Sequence, residues 1–335
     1  MHHGSNEHGT GVTARPIFIM GCEASGTNLV SQILDSHSQI AVCRGCQYYV
    51  LFASERRYYG DLSAGPGLAH LIDDFVETAR SQNIDAPSAG AMLRELRERT
   101  FAGVLASFLS LYARGQGKAR CGERSVKNYP FLPQILADFP QSPVVFTMRD
   151  PRDLALAHKQ GFGFRVDAAI DSWNRAFSAY EAASRHVHLL RYEELVQRPE
   201  PTLRLLCAYM AEAYEPEMLH FHERTPESYR ALPHHARLSR PLDADTVGNF
   251  GELTDAEIEL IENQCAAGMR AMGYVPTGVV SAEPGPMPAR PSLLRRVGHR
   301  LRYYGGDWKR WRRGLLHWKI VLRARARYAL RPRRP

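Results

Sequence analysis

The sequence predicts an α/β fold of three layers, a central parallel sheet flanked by helices, on three observations. Short apolar runs at 16–20, 144–148 and 187–190 have the length and the β-branched or aromatic content of buried strands. They alternate with helical patterns at 29–35, 153–160, 167–185 and 254–272, the arrangement of parallel sheets covered by helices. The first run also passes through a glycine-containing turn directly into a helix, as a parallel crossover requires.

The first element is Pro16-Ile17-Phe18-Ile19-Met20, followed by Gly21-Cys22-Glu23-Ala24-Ser25-Gly26-Thr27-Asn28. A strand, turn and helix in this order can build an anion cradle. Backbone N–H groups of the turn and first helical turn point at one spot, and the helix dipole adds partial positive charge there. A nucleotide phosphate or sulfate suits such a cradle. The turn lacks the Lys-Ser or Lys-Thr of the Walker loop, and Gly21 and Gly26 lack the dinucleotide spacing. Taken alone, it is equally read as an ordinary strand-to-helix connection.

The second run, Val144-Val145-Phe146-Thr147-Met148, ends at Arg149 and is followed by Asp150-Pro151-Arg152-Asp153. Asp150 suits an N-cap and Pro151 the first helical position. Arg149 would then project from the carboxyl end of a parallel strand, where open α/β sheets bind ligands. The competing reading is a surface arginine paired with Asp150 or Asp153. In the helix over 167–185, Trp173, Phe177 and Tyr180 recur at i, i+4 and i+7 and read as core packing. The third run, Val187-His188-Leu189-Leu190, leads to Tyr192. Thr254-Asp255-Ala256-Glu257 is a capping-box pattern opening the last helix of the domain.

Taken together, these motifs resemble the sulfotransferase family that uses 3′-phosphoadenosine 5′-phosphosulfate (PAPS), over residues 15–275. In that family a Pro-Arg-Ser-Gly-Thr-Thr loop cradles the 5′-phosphosulfate, and an Arg-Asp-Pro-Arg-Asp segment supplies the arginine for the 3′-phosphate. Glu123-Arg124-Ser125 resembles its Glu-Lys-Ser/Thr element, Arg191-Tyr192-Glu193-Glu194-Leu195 its Arg-Tyr-Glu-Asp-Leu, and Gly268 to Tyr274 its closing Met-x-x-x-Gly-Tyr. The resemblance implies a P-loop-like sandwich, donor contacts from Ala24, Ser25, Gly26, Thr27, Asn28, Arg149 and Tyr192, and no metal. Arg124 would stabilise charge at the bridging oxygen.

Departures from the family pattern stand beside these matches. Glu23-Ala24 replaces Pro-Arg in the loop, Asn28 its last threonine, Ala157 a serine for the 3′-phosphate, and Gly248-Asn249-Phe250-Gly251 a basic Gly-Arg-Trp-Arg stretch. Each lost charge-assisted hydrogen bond is worth about 1.5–3 kcal/mol. Arg44, Arg124, Lys127, Arg152 and Lys159 are cations available to compensate. Sulfuryl transfer to a hydroxyl needs a base, and Ala41 to Gln47, where relatives often carry a glutamate, has no carboxylate. His37, Glu55, Glu123 and His158 remain as candidates, and Glu123 is the first choice, His37 the second. A structural role competes in both cases: Glu123 as partner of Arg124, His37 at a helix C-terminus. The acceptor expected is a hydroxyl of a carbohydrate or lipid-linked glycan. Two other readings stay open, a catalytically degenerate scaffold and a small-molecule or nucleotide kinase, although a kinase would need a P-loop lysine and magnesium ligands.

Domain organisation follows from composition. The 335 residues, 44% hydrophobic, suffice for one sizeable domain over 15–275 after a flexible N-terminus at 1–14, with a Pro-rich linker at 276–292. The chain from Arg290 onward holds 16 Lys and Arg against Asp307 alone, while the rest carries 27 basic and 34 acidic residues. The tail, 293–335, also contains Trp308, Trp311 and Trp318. Basic residues interleaved with aromatics suit a helix on an anionic membrane; disorder and nucleic-acid binding are the competing readings. Its apolar run at 315–322 is too short to span a bilayer. The N-terminal residues have no apolar core, so a cytoplasmic location, peripheral on the membrane's inner face, is expected. Six cysteines without a framework fit reduced thiols, and Cys43-x-x-Cys46 has no second ligand pair for zinc.

Overall fold

The computed structural model describes residues 15–162, 165–224, 238–278 and 308–330. The N-terminal segment 1–14, all of the Pro-rich linker after 278, and residues 293–307 of the tail lie outside the described residues. Five strands form one sheet: β1 (Ile17–Gly21), β2 (Ile40–Arg44), β3 (Arg120–Arg124), β4 (Val144–Met148) and β5 (His188–Arg191). Their order is β2-β3-β1-β4-β5 and every pairing is parallel. This is the P-loop-like α/β sandwich the sequence predicts.

The helices are α1 (Thr27–Ser36), α2 (Tyr48–Phe52), α3 (Gly67–Ser81), α4 (Ala89–Glu95), α5 (Phe101–Gly115), α6 (Leu132–Asp138) and α7 (Pro151–Phe162). They continue with α8 (Val166–Ala183), α9 (Tyr192–Gln197), α10 (Pro199–Met210), α11 (Phe221–Arg224), α12 (Asp255–Met272) and α13 (Trp308–Ala329). Successive side chains of a strand point to opposite faces, and β1 divides its residues accordingly. Ile17 and Ile19 pack with Val30, Ile33 and Leu34 of α1 and Leu203 and Leu206 of α10. Phe18 and Met20 face the larger core, with Phe75 of α3, Phe108 of α5, Trp173 of α8 and Met269 of α12. Trp173 and Phe177 are buried and stacked 5.6 Å apart, and Tyr180 lies 5.7 Å from Phe146, so the aromatic stripe packs the core. Thr254 and Glu257 form the expected capping box.

Two strands escaped the reading of apolar runs. β3 is Arg-Cys-Gly-Glu-Arg, and its Glu123 is fully buried by side-chain partners rather than by hydropathy. β2 is Ile-Ala-Val-Cys-Arg, too short a run to separate from a loop without its neighbours.

The described part of the tail is docked on the domain. Ile320 and Ala324 of α13 enter the main core. Arg323 pairs with Asp74 and, at 2.6 Å, with Glu77; Arg327 reaches Asp74 at 3.5 Å and Arg325 reaches Glu55 at 3.5 Å. Asp74 is fully buried and also accepts a hydrogen bond from the Tyr59 hydroxyl at 3.0 Å. Among the described residues, the cations paired with that buried carboxylate both come from α13, so the helix belongs to the folded unit. Its outer side is different: Leu315, Trp318 and Leu322 are 59%, 63% and 59% exposed.

Candidate active site

Because all five strands are parallel, their carboxyl ends share one edge of the sheet. From β1 the chain leaves to β2 and β3 on one side and to β4 and β5 on the other. The carboxyl end of β1 is therefore the topological switch point, where open sheets leave a crevice for ligands. The loop from Gly21 to Gly26 occupies it.

That loop is a tight, left-handed turn. Ala24 has φ 65° and Gly26 φ 97°, and the Ser25 N–H donates to the Cys22 carbonyl at 3.2 Å. The Ser25 hydroxyl donates to the same carbonyl at 2.6 Å and meets the Thr147 hydroxyl at 2.7 Å, so it ties the loop to β4. Gly26 is the N-cap of α1, with no side-chain cap and no acidic residue in the first turn. The first N–H groups of a helix have no intrahelical acceptor, which leaves this end suited to an anion. Gly26 is also required sterically, since a Cβ there would stand 2.7 Å from the Tyr192 ring.

On the β4 side, Arg149 sits where β4 ends. Its Nη2 donates to the Thr246 carbonyl at 2.7 Å, and its guanidinium lies 4.4 Å over the Tyr192 ring. The Tyr192 hydroxyl meets the Thr246 hydroxyl at 2.9 Å. The Nε of Arg149 is buried without an acceptor among the described residues. Asp150 caps α7, its carboxylate accepting from the Arg152 N–H at 2.9 Å and its carbonyl from Leu154. The acid's ion pair is with Arg152, at 2.7 Å, not with Arg149. Arg152 is further engaged by Glu262 at 2.7 Å and by the Phe250 ring at 4.5 Å, so it serves the framework. Gly26, Arg149 and Tyr192, distant in sequence, thus meet on one edge.

The β3 side departs further from expectation. Glu123 is fully buried and accepts from the Ser125 hydroxyl, the Cys46 thiol at 3.3 Å and the Asn128 amide at 2.7 Å. Burial pushes its carboxyl up to about 7, against the opposing pull of these donors and Arg124. A carboxylate sealed in this way has no path to an acceptor hydroxyl, which corrects its choice as base. His37 is corrected as well. It caps the C-terminus of α1, with Nε2 2.8 Å from the Ala213 carbonyl and Nδ1 accepting from the Gln39 N–H at 3.0 Å. At 1.5 Å per residue, a ten-residue helix places it about 15 Å from the loop. Arg124 ends β3 in register with Ile19.

Glu23, by contrast, lies in the loop itself. Its Oε1 is 3.1 Å from Nζ of Lys127, in the 3₁₀ turn after β3, and its Oε2 accepts from the Ser172 hydroxyl of α8 at 2.6 Å. Its carbonyl is 3.1 Å from Nε2 of His158 in α7. Burial pushes the Glu23 carboxyl up, but Lys127, Ser172 and His158 together outweigh it and hold it below its ordinary value. Burial also lowers the His158 imidazolium's pKa. Of the cations the sequence left unplaced, Lys127 reaches the loop, while Arg44 pairs with Asp35 and Lys159 with Glu257.

A model of the sulfotransferase family matches residues 16–216, more than half of the chain. The chain belongs to the sulfotransferase family. The sulfotransferase domain of the Synechococcus PCC 7002 olefin synthase shares the fold, with TM-score 0.55 at 15% identity over 78% of this chain and 94% of that domain. The sulfotransferase domain of the curacin biosynthetic pathway is 19% identical with TM-score 0.48, over 78% of this chain and 98% of that one. A protein of Aquifex aeolicus (strain VF5), described only as uncharacterized, is 23% identical over 230 residues, 62% of this chain and 27% of its own length. The sulfotransferase thus spans about a quarter of that curated relative.

Sequence reasoning missed Thr246 and Ser172 and could not place Lys127. Only for Lys127 was there a signal, its position two residues after the Glu123-Arg124-Ser125 element.

Proposed function

We propose that this sulfotransferase moves a sulfuryl group from PAPS to a hydroxyl of a carbohydrate or lipid-linked glycan. The observation that carries this reading is the convergence of the uncapped α1 N-terminus, Arg149 and Tyr192 at the switch point of the sheet. The residues present fit the donor: the N–H groups from Gly26 to Asn28, at the uncapped start of α1, would hold the 5′-phosphosulfate, and the buried Nε of Arg149 would take a 3′-phosphate oxygen. Tyr192 would border the adenine, and Arg124 would stabilise charge at the bridging oxygen without giving up a proton. The donor carries the sulfuryl group; the chain supplies orientation and electrostatic stabilisation.

The tail gives the acceptor class its support. The outward stripe Leu315, Trp318 and Leu322, flanked by exposed Lys319 and Arg325, is suited to an anionic membrane surface carrying such glycans. No described helix is long and apolar enough to cross a membrane. Co-sedimentation with phosphatidylserine vesicles, lost with neutral vesicles and in Trp318→Glu, is the expected outcome. Binding by neither vesicle type would remove the membrane from the proposal.

Titration calorimetry with 3′,5′-adenosine bisphosphate (PAP) and with ATP, each with and without magnesium, tests the donor site. Metal-independent PAP binding that Arg149→Ala weakens about 10–100-fold is expected. ATP binding that needs magnesium would favour a kinase, and no binding at all would favour a scaffold.

A further inference from the structure

Glu123 is sealed, His37 lies at the far end of α1, Glu55 pairs with Arg325 of α13 at 3.5 Å, and the buried His158 turns its Nε2 to the Glu23 carbonyl, which directs attention to Glu23 itself. Glu23 is the loop's own carboxylate, and its side chain is 24% exposed. It is anchored from three elements: by Lys127 after β3, by Ser172 of α8 and, through its carbonyl, by His158 of α7. Among the described residues Oε1 meets Lys127 and Oε2 meets Ser172, and since each oxygen has two lone-pair directions, one on each is left to take a proton. A bare anion beside an anion cradle would oppose the donor, but Lys127, 66% exposed, balances its charge at 3.1 Å. The acid that replaces proline in the loop is thus anchored from three elements, favoured in its ionised form by its partners and partly exposed.

We propose that Glu23 is the general base of sulfuryl transfer, with Lys127 as its positioning partner and a counter-charge to the sulfuryl oxygens. This rests on the PAPS reading above. The acceptor hydroxyl gives its proton to a Glu23 carboxylate oxygen as its oxygen bonds to sulfur. The bond from sulfur to the bridging oxygen of the 5′-phosphate breaks, that oxygen keeps the electron pair, and PAP departs. The groups facing Glu23 are Lys127, His158, Ser172, Tyr129 and the Cys22 thiol, and of these Lys127, Ser172 and His158 favour its ionised form.

The test compares wild type with Glu23→Gln, Glu23→Asp and Lys127→Met, using PAP calorimetry and PAP release from PAPS with two acceptors. Octyl β-D-glucopyranoside presents an un-ionised alcohol; p-nitrophenol is already substantially ionised near neutral pH and needs less help from a base. Glu23→Gln should bind PAP at least as tightly as wild type. Its transfer to the glucoside should fall about 10²–10³-fold, the size expected for removal of a general base, and its transfer to p-nitrophenol far less. Glu23→Asp, which keeps the charge on a shorter arm, should fall between the two. Lys127→Met should slow transfer to both acceptors. Equal losses of Glu23→Gln on both acceptors, or gains on both, would overturn the proposal. So would a wild type that binds PAP yet transfers to neither acceptor, since Glu23 would then only repel the sulfuryl group. A wild type that does not bind PAP would instead refute the donor reading itself.

Discussion

The two flanks of β1 solve the problem of holding an anion differently. On the β4–β5 flank, a short motif puts Arg149 at a strand end, and Trp173 fixes it from behind by donating Nε1–H to its carbonyl at 2.9 Å. Tyr192, Thr246 and Gly26 complete a wall in which each group is set by one neighbour. On the β3 flank the charges are balanced in pairs. Glu23 meets Lys127, and Glu123 is buried among donors. The first flank presents an arginine at the place that motif position alone predicts. The second depends on which residues tertiary packing brings together.

The largest expected effect breaks the β3 flank. Glu123→Ala should leave the Asn128 amide and the Ser125 and Cys46 donors without their acceptor inside the protein and destabilise the fold by about 3 kcal/mol, read by chemical denaturation. The pH dependence sharpens the same point. A carboxyl whose folded value is raised binds its proton more tightly in the folded state, so the stability linked to Glu123 falls as pH rises from about 4.5 to about 7. Glu123→Gln should flatten that decline in melting temperature between pH 5 and 7. An unchanged slope would place the titration elsewhere. Glu23, lowered in the folded state, works the other way: its contribution is present above the ordinary glutamate value and lost as pH falls through its folded value.

Next in size is the opposite flank. Arg149→Ala should lower PAP affinity by about 10–100-fold, the loss of one charge-assisted contact, with melting temperature nearly unchanged. A comparable loss of stability would mean that Arg149 is a framework residue like Arg152. Gly26→Ala should cost about 1–3 kcal/mol, because it combines φ 97° with a Cβ at 2.7 Å from the Tyr192 ring, and PAP affinity should fall with it. Tyr192→Ala in the same chain should recover part of that loss by opening the space. Trp318→Glu lies outside both flanks and should leave PAP affinity unchanged while vesicle binding disappears; a change in PAP affinity would tie the tail to the crevice.

The legible part of the site was the part encoded within a few residues. Asp150, Pro151 and Arg149 specify their own geometry through a helix start at a strand end, so their sequence announces where the arginine stands. Thr254 and Glu257 announce a helix start in the same way. Glu123 misled because its motif likeness carries no information about depth. Its burial comes from Cys46, Ser125 and Asn128 closing over it, and two of these are near it in sequence without any pattern that says so. His37 misled because a position just after α1 in the chain is, in space, a full helix length from the loop that precedes α1.

The tail shows the same division. Its basic and aromatic composition was plain, and so was its inability to span a bilayer. That one of its faces is committed to Asp74, Glu77 and the core, leaving the other outward, depends on partners some 250 residues away. The sequence by itself determined the α/β class, the strand–turn–helix at Gly21 to Asn28, the place of Arg149 and the charge of the tail, because periodicity, capping and glycine geometry act over single turns of chain. Only the tertiary structure decided the strand order, the sealing of Glu123, the pairing of Glu23 with Lys127 and the docking of α13. Those outcomes rest on burial and on contacts between segments far apart in sequence, whose free energy is not written in any one of them.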